Sequence, residues 1–239
     1  MKKLTLVAMM ALAVGGAFAG QESKKDGGFV SPVGYALAAP LQFPRMGDSV
    51  YGWRYNVFVA INKDVYGWDL GLVGINTGVM KGVQVNAFNW SGESVDALQI
   101  SPIANVALED VTALQIGTFN IIRGDMTGWQ MGLVNIEDSF AGLQFGGLLN
   151  WNSADSCGAQ IALGNADVEN FTGFSCALVN HARTFTGFQL GLVNVAENAT
   201  GLQIGLFNAV EDMDGLQLGV ANLICEGPLP AMTVANASF

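Results

Sequence analysis

The sequence predicts an all-β domain assembled from twelve short repeats, and three observations predict it. The first is a register of anchors. Gly187-Phe-Gln-Leu-Gly-Leu-Val-Asn194 aligns with Gly201-Leu-Gln-Ile-Gly-Leu-Phe-Asn208 and with Gly215-Leu-Gln-Leu-Gly-Val-Ala-Asn222. The same frame runs back through Gly173, Gly158, Gly142, Gly128, Ala113, Ala97, Gly82, Gly67 and Gly52, each anchor fourteen to sixteen places from the next. The second observation is the side-chain period. Leu202, Ile204 and Leu206 alternate with Gln203, Gly205 and Phe207, as residues on the two faces of a strand do. The third is the spread of 31 glycines along 239 residues, which interrupts every window that a helix would need.

Taken in chain order, four segments follow. Residues 1–19 read as a signal peptide: Lys2 and Lys3 precede an apolar run that ends in Ala17-Phe-Ala19, the small residues that a signal peptidase reads. Residues 20–49 are a lead-in, residues 50–225 the repeat-built domain, and residues 226–239 a C-terminal tail. The chain is expected to be exported to the periplasm, outer membrane or cell surface. After the leader, no segment is long and apolar enough for a membrane-spanning helix.

Composition narrows the function. Hydrophobic residues make up 51% and charged residues 13%, so the chain has ample side chain to bury and disorder is excluded. The formal charge is −10, which argues against neutralising phosphates and hence against nucleic-acid binding. Charge gathers in the linkers, as at Glu109-Asp110, Glu137-Asp138, Glu197-Asn198 and Glu211-Asp212, which read as acidic turns forming a solubilising rim. An apolar residue returns before the next anchor, as at Val95, Phe140, Phe185 and Met213.

Two polar columns run through the repeat. Gln stands two places after the anchor in nine of twelve units, including Gln130, Gln189, Gln203 and Gln217 beside the anchors Gly128, Gly187, Gly201 and Gly215. Asn stands seven places after it in eight, including Asn135, Asn194, Asn208 and Asn222. Amides repeated so regularly read as structural ladders rather than as substrate ligands. Gly132, Gly191, Gly205 and Gly219, four places after their anchors, imply that another backbone or a bulky side chain lies against them. The apolar first, third and fifth places are expected to line an apolar interior. Trp53, Trp68, Trp90, Trp129 and Trp151 are expected to pack in the core, as is Cys176.

Three architectures can shelter such units: a closed antiparallel barrel, for which twelve is a suitable even number; a β-solenoid with one coil per repeat; and an outer-membrane barrel, which Phe239 at the end of the chain would suit. A resemblance tips the expectation. Val50-Tyr-Gly-Trp-Arg-Tyr-Asn-Val57 and Val65-Tyr-Gly-Trp-Asp-Leu-Gly-Leu-Val73, the Gly-Leu-Gln-x-Gly-Leu-x-Asn units that follow, and Ala39-Pro-Leu-Gln-Phe-Pro44 resemble a family of bacterial surface-repeat proteins, many of them lipoproteins. The resemblance covers about residues 30–225. It implies an exported envelope protein and a shallow closed barrel with hairpin petals around an apolar interior, a "β-flower". It brings no catalytic residue, and the lipoproteins' anchoring Cys is absent here. The expectation is therefore a non-enzymatic envelope protein holding a lipid or other hydrophobic ligand, with a lipid or membrane surface as partner. The alternatives are an outer-membrane pore and a β-solenoid adhesion or interaction protein.

Residues suited to catalysis are sparse. His181, the lone histidine, sits in a linker, and no Gly-x-Ser-x-Gly elbow or phosphate-binding loop occurs. Arg123-Gly-Asp125 matches an adhesion tripeptide by composition alone. Cys157, Cys176 and Cys225 form no metal-binding cluster, and their spacing leaves a Cys157–Cys225 bridge open. No catalytic residue, cofactor or metal ligand is assigned.

Overall fold

A computed structural model describes residues 28–239, and the leader read at residues 1–19 lies outside them. The described chain is all strand and turn, and it divides into two compact units that meet at Gly124 and Asp125 in sequence. Unit 1 holds β1 (Val30–Ala38), β2 (Leu41–Phe43), β3 (Ser49–Asn62), β4 (Val65–Asn76), β5 (Met80–Ser91), β6 (Val95–Ala107) and β7 (Val111–Ile122). Unit 2 holds β8 (Asp125–Glu137), β9 (Ser139–Asn152), β10 (Ser156–Ile161), β11 (Gly164–Ile204), β12 (Phe207–Ile224) and β13 (Ala231–Ser238). β11 is a single long strand because the chain passes through successive coils without losing its ladder.

Within each unit, successive repeats pair parallel and in register. Gly67 lies opposite Gly82 and Gln84 opposite Gln99 in unit 1; Gly201 lies opposite Gly215 and Asn194 opposite Asn208 in unit 2. Each unit is a β-solenoid, one coil per repeat, and not the closed barrel with hairpin petals expected from the sequence. Antiparallel pairing closes the described ends only: β2 folds back on β1, and β13 on β12. The segment before the first anchor adds β1, which pairs parallel with β3.

The physical reason lies in the two columns that the sequence displays. A residue meets its own counterpart in the next unit only if neighbours are parallel, in register and one repeat apart, about 4.8 Å along the stack. An amide ladder needs that spacing, whereas antiparallel neighbours would oppose unlike positions and break it.

The coil bends at the anchor. Ten anchor glycines, among them Gly67, Gly187 and Gly215, have φ between 123° and 152°, a region that L-residues rarely adopt. At Gly187 an added Cβ would lie 2.1 Å from the carbonyl oxygen of Gly173, the anchor one coil back. The anchor is therefore glycine for two reasons, its own backbone and the backbone stacked beneath it.

The residue two places before the anchor points inward, and in all but one coil it is apolar: Val50, Val65, Met80, Val95 and Val111 in unit 1, and Met126, Phe140, Phe171, Phe185, Ala199 and Met213 in unit 2, all buried, with Ser156 at the one polar place. Phe171 and Phe185 stack at 6.1 Å between ring centroids. Burying each such Val, Met or Phe side chain contributes about 1.5–3 kcal/mol.

Candidate functional site

The site is a pair of surfaces, a polar interior that fixes the coils and an apolar exterior that those coils present. The interior decides which side of each strand faces out.

The Gln and Asn columns are fully buried. The Gln amides donate backward, Gln203 to Gln189 at 2.7 Å and Gln217 to Gln203 at 3.0 Å. The Asn amides donate forward, Asn180 to Asn194, Asn194 to Asn208 and Asn208 to Asn222, each at 2.8 Å. Every one of these Asn amides also donates to a backbone carbonyl of the next coil, as Asn194 does to Ile204 at 3.0 Å. At Leu218 the carbonyl also accepts from the backbone N–H of Gly205 at 2.9 Å, so the Asn208 amide is a second donor to it. Gly191 and Gly205 make room for the Asn amides: a Cβ on Gly205 would lie 2.7 Å from the Asn194 amide nitrogen and 2.8 Å from the Asn208 carbonyl oxygen. Asn105 and Asn150 join the same column, although they stand eight places after their anchors. Both lie in the longest repeats, and the extra residue falls before the Asn, which hides them from a fixed-offset count.

The three exceptions in the Gln column are Arg54, Asp69 and Ser175. Arg54 and Asp69 lie opposite each other in β3 and β4 and form a buried, bidentate ion pair, with Nε donating to Oδ1 at 2.8 Å and Nη2 to Oδ2 at 2.6 Å. Gln84 and Asn86 each donate to Asp69 Oδ2 at 2.9 Å. Ser175 accepts from Asn165 at 3.0 Å and donates to Asn180 at 2.7 Å.

A second polar intrusion contradicts the sequence expectation. Glu137, read from the sequence as part of an exposed acidic rim, is 1% exposed, whereas Asp138 beside it faces solvent. Glu137 stands nine places after its anchor, at the inward position that Ala182, Ala196, Val210 and Ile224 hold in later coils, whereas Glu197 and Glu211 stand ten places after theirs and face out. Register places Glu137 opposite Asn152, and Asn152 opposite Asp167, which is also buried. Gln144 donates to Glu137, while Asn152 donates to Asp167 at 2.7 Å and Gln160 does so at 2.5 Å. Burial holds the Glu137 carboxyl well above the ordinary carboxylate range; a hydrogen bond from Gln130 opposes this and the nearby Asp167 adds to it. Burial likewise pushes Asp167 up to about 6, against its hydrogen bonds from Asn152 and Gln160.

These shifts set the sign of a pH effect. An acid whose pKa is higher folded than unfolded binds its proton more tightly in the fold, so its contribution is most favourable below about pH 4 and is lost as pH rises through about 6. Asp167→Asn should therefore stabilise the protein at pH 7–8 by on the order of 2–3 kcal/mol and have little effect near pH 4. Urea midpoints measured at the two pH values check this; an equal shift at both would contradict it.

The exterior reverses the sequence expectation. Because the Gln at the second place points inward, the first and third places that alternate with it point outward, and the fifth is outward as well, before the chain turns the Asn at the seventh inward. Trp53 is 56% exposed, Trp129 56% and Leu192 47%, and Trp68, Tyr55, Leu72, Leu114, Ile116, Leu178 and Leu206 are exposed with them. Of the five tryptophans, Trp90 alone is buried; Trp151 is intermediate. Cys176 lies on the outer face, partly exposed, rather than in the core. The amides outcompete the aliphatic side chains for the interior because each carries several hydrogen-bonding groups, which a stacked ladder satisfies jointly.

In unit 1 the face begins with aromatic side chains. Trp53 and Trp68 stack at 5.3 Å with an interplanar angle of 8°, and Tyr35 stacks on Tyr55 at 6.0 Å. In unit 2 it is mainly aliphatic, with Phe174 stacked on Phe188 at 5.6 Å. The first, third and fifth places of both units carry no Asp, Glu, Lys or Arg.

The remaining candidates fall elsewhere. His181 is exposed, as are Arg123 and Asp125. Glu109, Asp110, Glu197, Glu211 and Asp212 are exposed, as read from the sequence. Cys157, Cys176 and Cys225 are free thiols. Cys157 and Cys225 belong to coils four anchors apart, roughly 19 Å along the stack, beyond the reach of a disulfide. No known protein family, curated protein or solved structure matches the chain.

Proposed function

We propose that the chain is an exported, non-enzymatic β-solenoid interaction protein of the bacterial envelope, and that its outward apolar face is the surface it works with. One observation carries the reading: columns of exposed Leu, Ile, Phe and Trp stand in register with no charged residue among them in either unit's regular coils. A contiguous apolar surface larger than a few hundred Å² is uncommon on a monomeric soluble protein and marks a site that something else covers. The leader-like residues 1–19 and the resemblance to surface-repeat proteins support export. A lipid tail held in an apolar interior has lost its basis, because the columns that suggested it face outward and the interior is filled by amides and packed apolar side chains. Parallel, in-register coils also differ from the antiparallel strands of an outer-membrane pore.

The test uses a dye that fluoresces on apolar surfaces. Native mature protein should bind anilinonaphthalene sulfonate without denaturant, and Leu72→Lys with Ile116→Lys in unit 1 should remove at least half of the signal while leaving the circular dichroism unchanged. A native protein that leaves the dye dark would overturn the reading.

Contact with a lipid surface is favoured at one place. Tyr35, Trp53, Tyr55 and Trp68 combine apolar rings with polar tips, the chemistry that sits at a membrane–water interface. Flotation with phosphatidylcholine vesicles, lost on Trp53→Ser with Trp68→Ser, would support it; a chain that stays at the bottom of the gradient would not.

A further inference from the structure

We propose that the outward face of unit 2 is a self-association surface, covered by the same face of a second copy of this chain. The inference rests on the reading of the face as a docking surface, and it names the occupant.

The face is built by the first, third and fifth places after the seven anchors from Gly128 to Gly215. None of those places carries a charge, and apart from the Trp129 indole and the Cys176 thiol no side chain on them has a polar group. Leu178, Leu192 and Leu206, the fifth places of three successive coils, form one exposed row along its edge. Seven coils at about 4.8 Å and five residues at about 3.3 Å give a planar footprint of roughly 550 Å². Side-chain relief carries the accessible area toward the ~800 Å² that each partner contributes to a stable interface. Two such faces pack as two sheets do, with rows of side chains interleaved across about 10 Å.

Charge selects a second copy over a bilayer. Unit 2 carries one basic residue, Arg183, against eleven Asp plus Glu, a formal balance of −10. Arg183 is already engaged by Glu169 at 2.6 Å. A surface that lies on lipid is usually rimmed by Lys, Arg, Trp and Tyr, and here the acidic unit would be repelled by anionic headgroups. Two copies avoid that repulsion by geometry. Glu197 stands midway in sequence between Leu190 and Ile204, which hold the middle of the apolar segment in successive coils. It is therefore half a circumference away from that segment, as are its counterparts Glu211 and Arg183. Pairing the apolar faces puts the acidic turns on the two far sides of the pair. What like-charge repulsion remains is screened by salt, so association should strengthen as salt is raised.

Sedimentation velocity of the mature chain should give twice the mass of one chain, with the fraction of pairs rising with concentration and with salt. Leu192→Lys with Leu206→Lys should sediment as one chain under the same conditions. The protein carries its own probe. Cys176 lies on the face, while Cys157 and Cys225 are exposed away from it. In the wild-type chain, alkylation of Cys176 by iodoacetamide should slow several-fold as concentration rises, with Cys157 and Cys225 unchanged; this needs no variant to fold. A wild-type chain of single mass at every concentration, a Lys variant that still pairs, or Cys176 reactivity independent of concentration would overturn the proposal. So would a single-mass chain that floats with phosphatidylcholine vesicles through this face, since lipid would then be the occupant. Failure here combined with dye binding at unit 1 would leave the broader reading standing.

Discussion

Gly187→Ala should unfold most of unit 2, with a loss of more than about 4 kcal/mol. Two costs add at this position. The backbone has φ +132°, in a region essentially reserved for glycine, which strains an L-residue by on the order of 1–3 kcal/mol. The new methyl would also lie 2.1 Å from the Gly173 carbonyl oxygen, and that atom is backbone held by its own ladder, so it cannot swing aside as a side chain would. Relief requires separating two coils, which breaks the amide ladders on either side. Gly201→Ala meets the same obstacle, 2.2 Å from Gly187 oxygen. Ala113→Gly is the control. Alanine already stands at that anchor, and it is not among the residues with positive φ, so its replacement should cost only ~1 kcal/mol of chain entropy. Urea denaturation followed by far-ultraviolet circular dichroism measures all three. Stability of Gly187→Ala within about 1 kcal/mol of the wild type would show that the coils are not stacked through their anchors.

Asp69→Ala should be the most damaging change in unit 1, by about 3–5 kcal/mol. Asp69 accepts from Arg54, Asn56, Gln84 and Asn86, so its removal leaves several buried donors without an acceptor. The guanidinium is the costliest, because it is 1% exposed and would keep only Asn62 at 3.3 Å and the Ile75 carbonyl at 3.2 Å. The repeat itself suggests the rescue. Arg54→Gln with Asp69→Gln returns two exceptional coils to the residue that most others use and extends the ladder from Gln84. The double variant should recover at least half of the loss in thermal or urea melts. A double variant no better than Asp69→Ala would mean that the ion pair has a role beyond satisfying its own charges.

Some of this was legible in advance. Anchor spacing, the Gln and Asn columns, and the close contact expected at Gly191, Gly205 and Gly219 could all be read from Gly187–Asn222, because repetition exposes positions under a common constraint. Glu137 could not. It looks like its exposed neighbour Asp138, and only the packing of the coils shows that the ninth place after the anchor turns inward. Asn105 and Asn150 escaped for the opposite reason, since an inserted residue moved them off the common offset while the fold returned them to the ladder.

The sequence by itself determined that the chain is β-structured, that its repeats carry anchors fourteen to sixteen places apart, and that glycine and amide columns organise it. Those are properties of local order and are repeated often enough to stand clear of chance. Tertiary structure alone decided which side of the strand is buried. Period-two alternation marks two faces without labelling either, and the usual assumption that aliphatic residues point inward fails here. Amides stacked one coil apart satisfy one another, and packed Val, Met and Phe two places before most anchors complete the core. The Leu, Ile and Trp columns are thereby turned to the outside, where they form an exposed apolar surface.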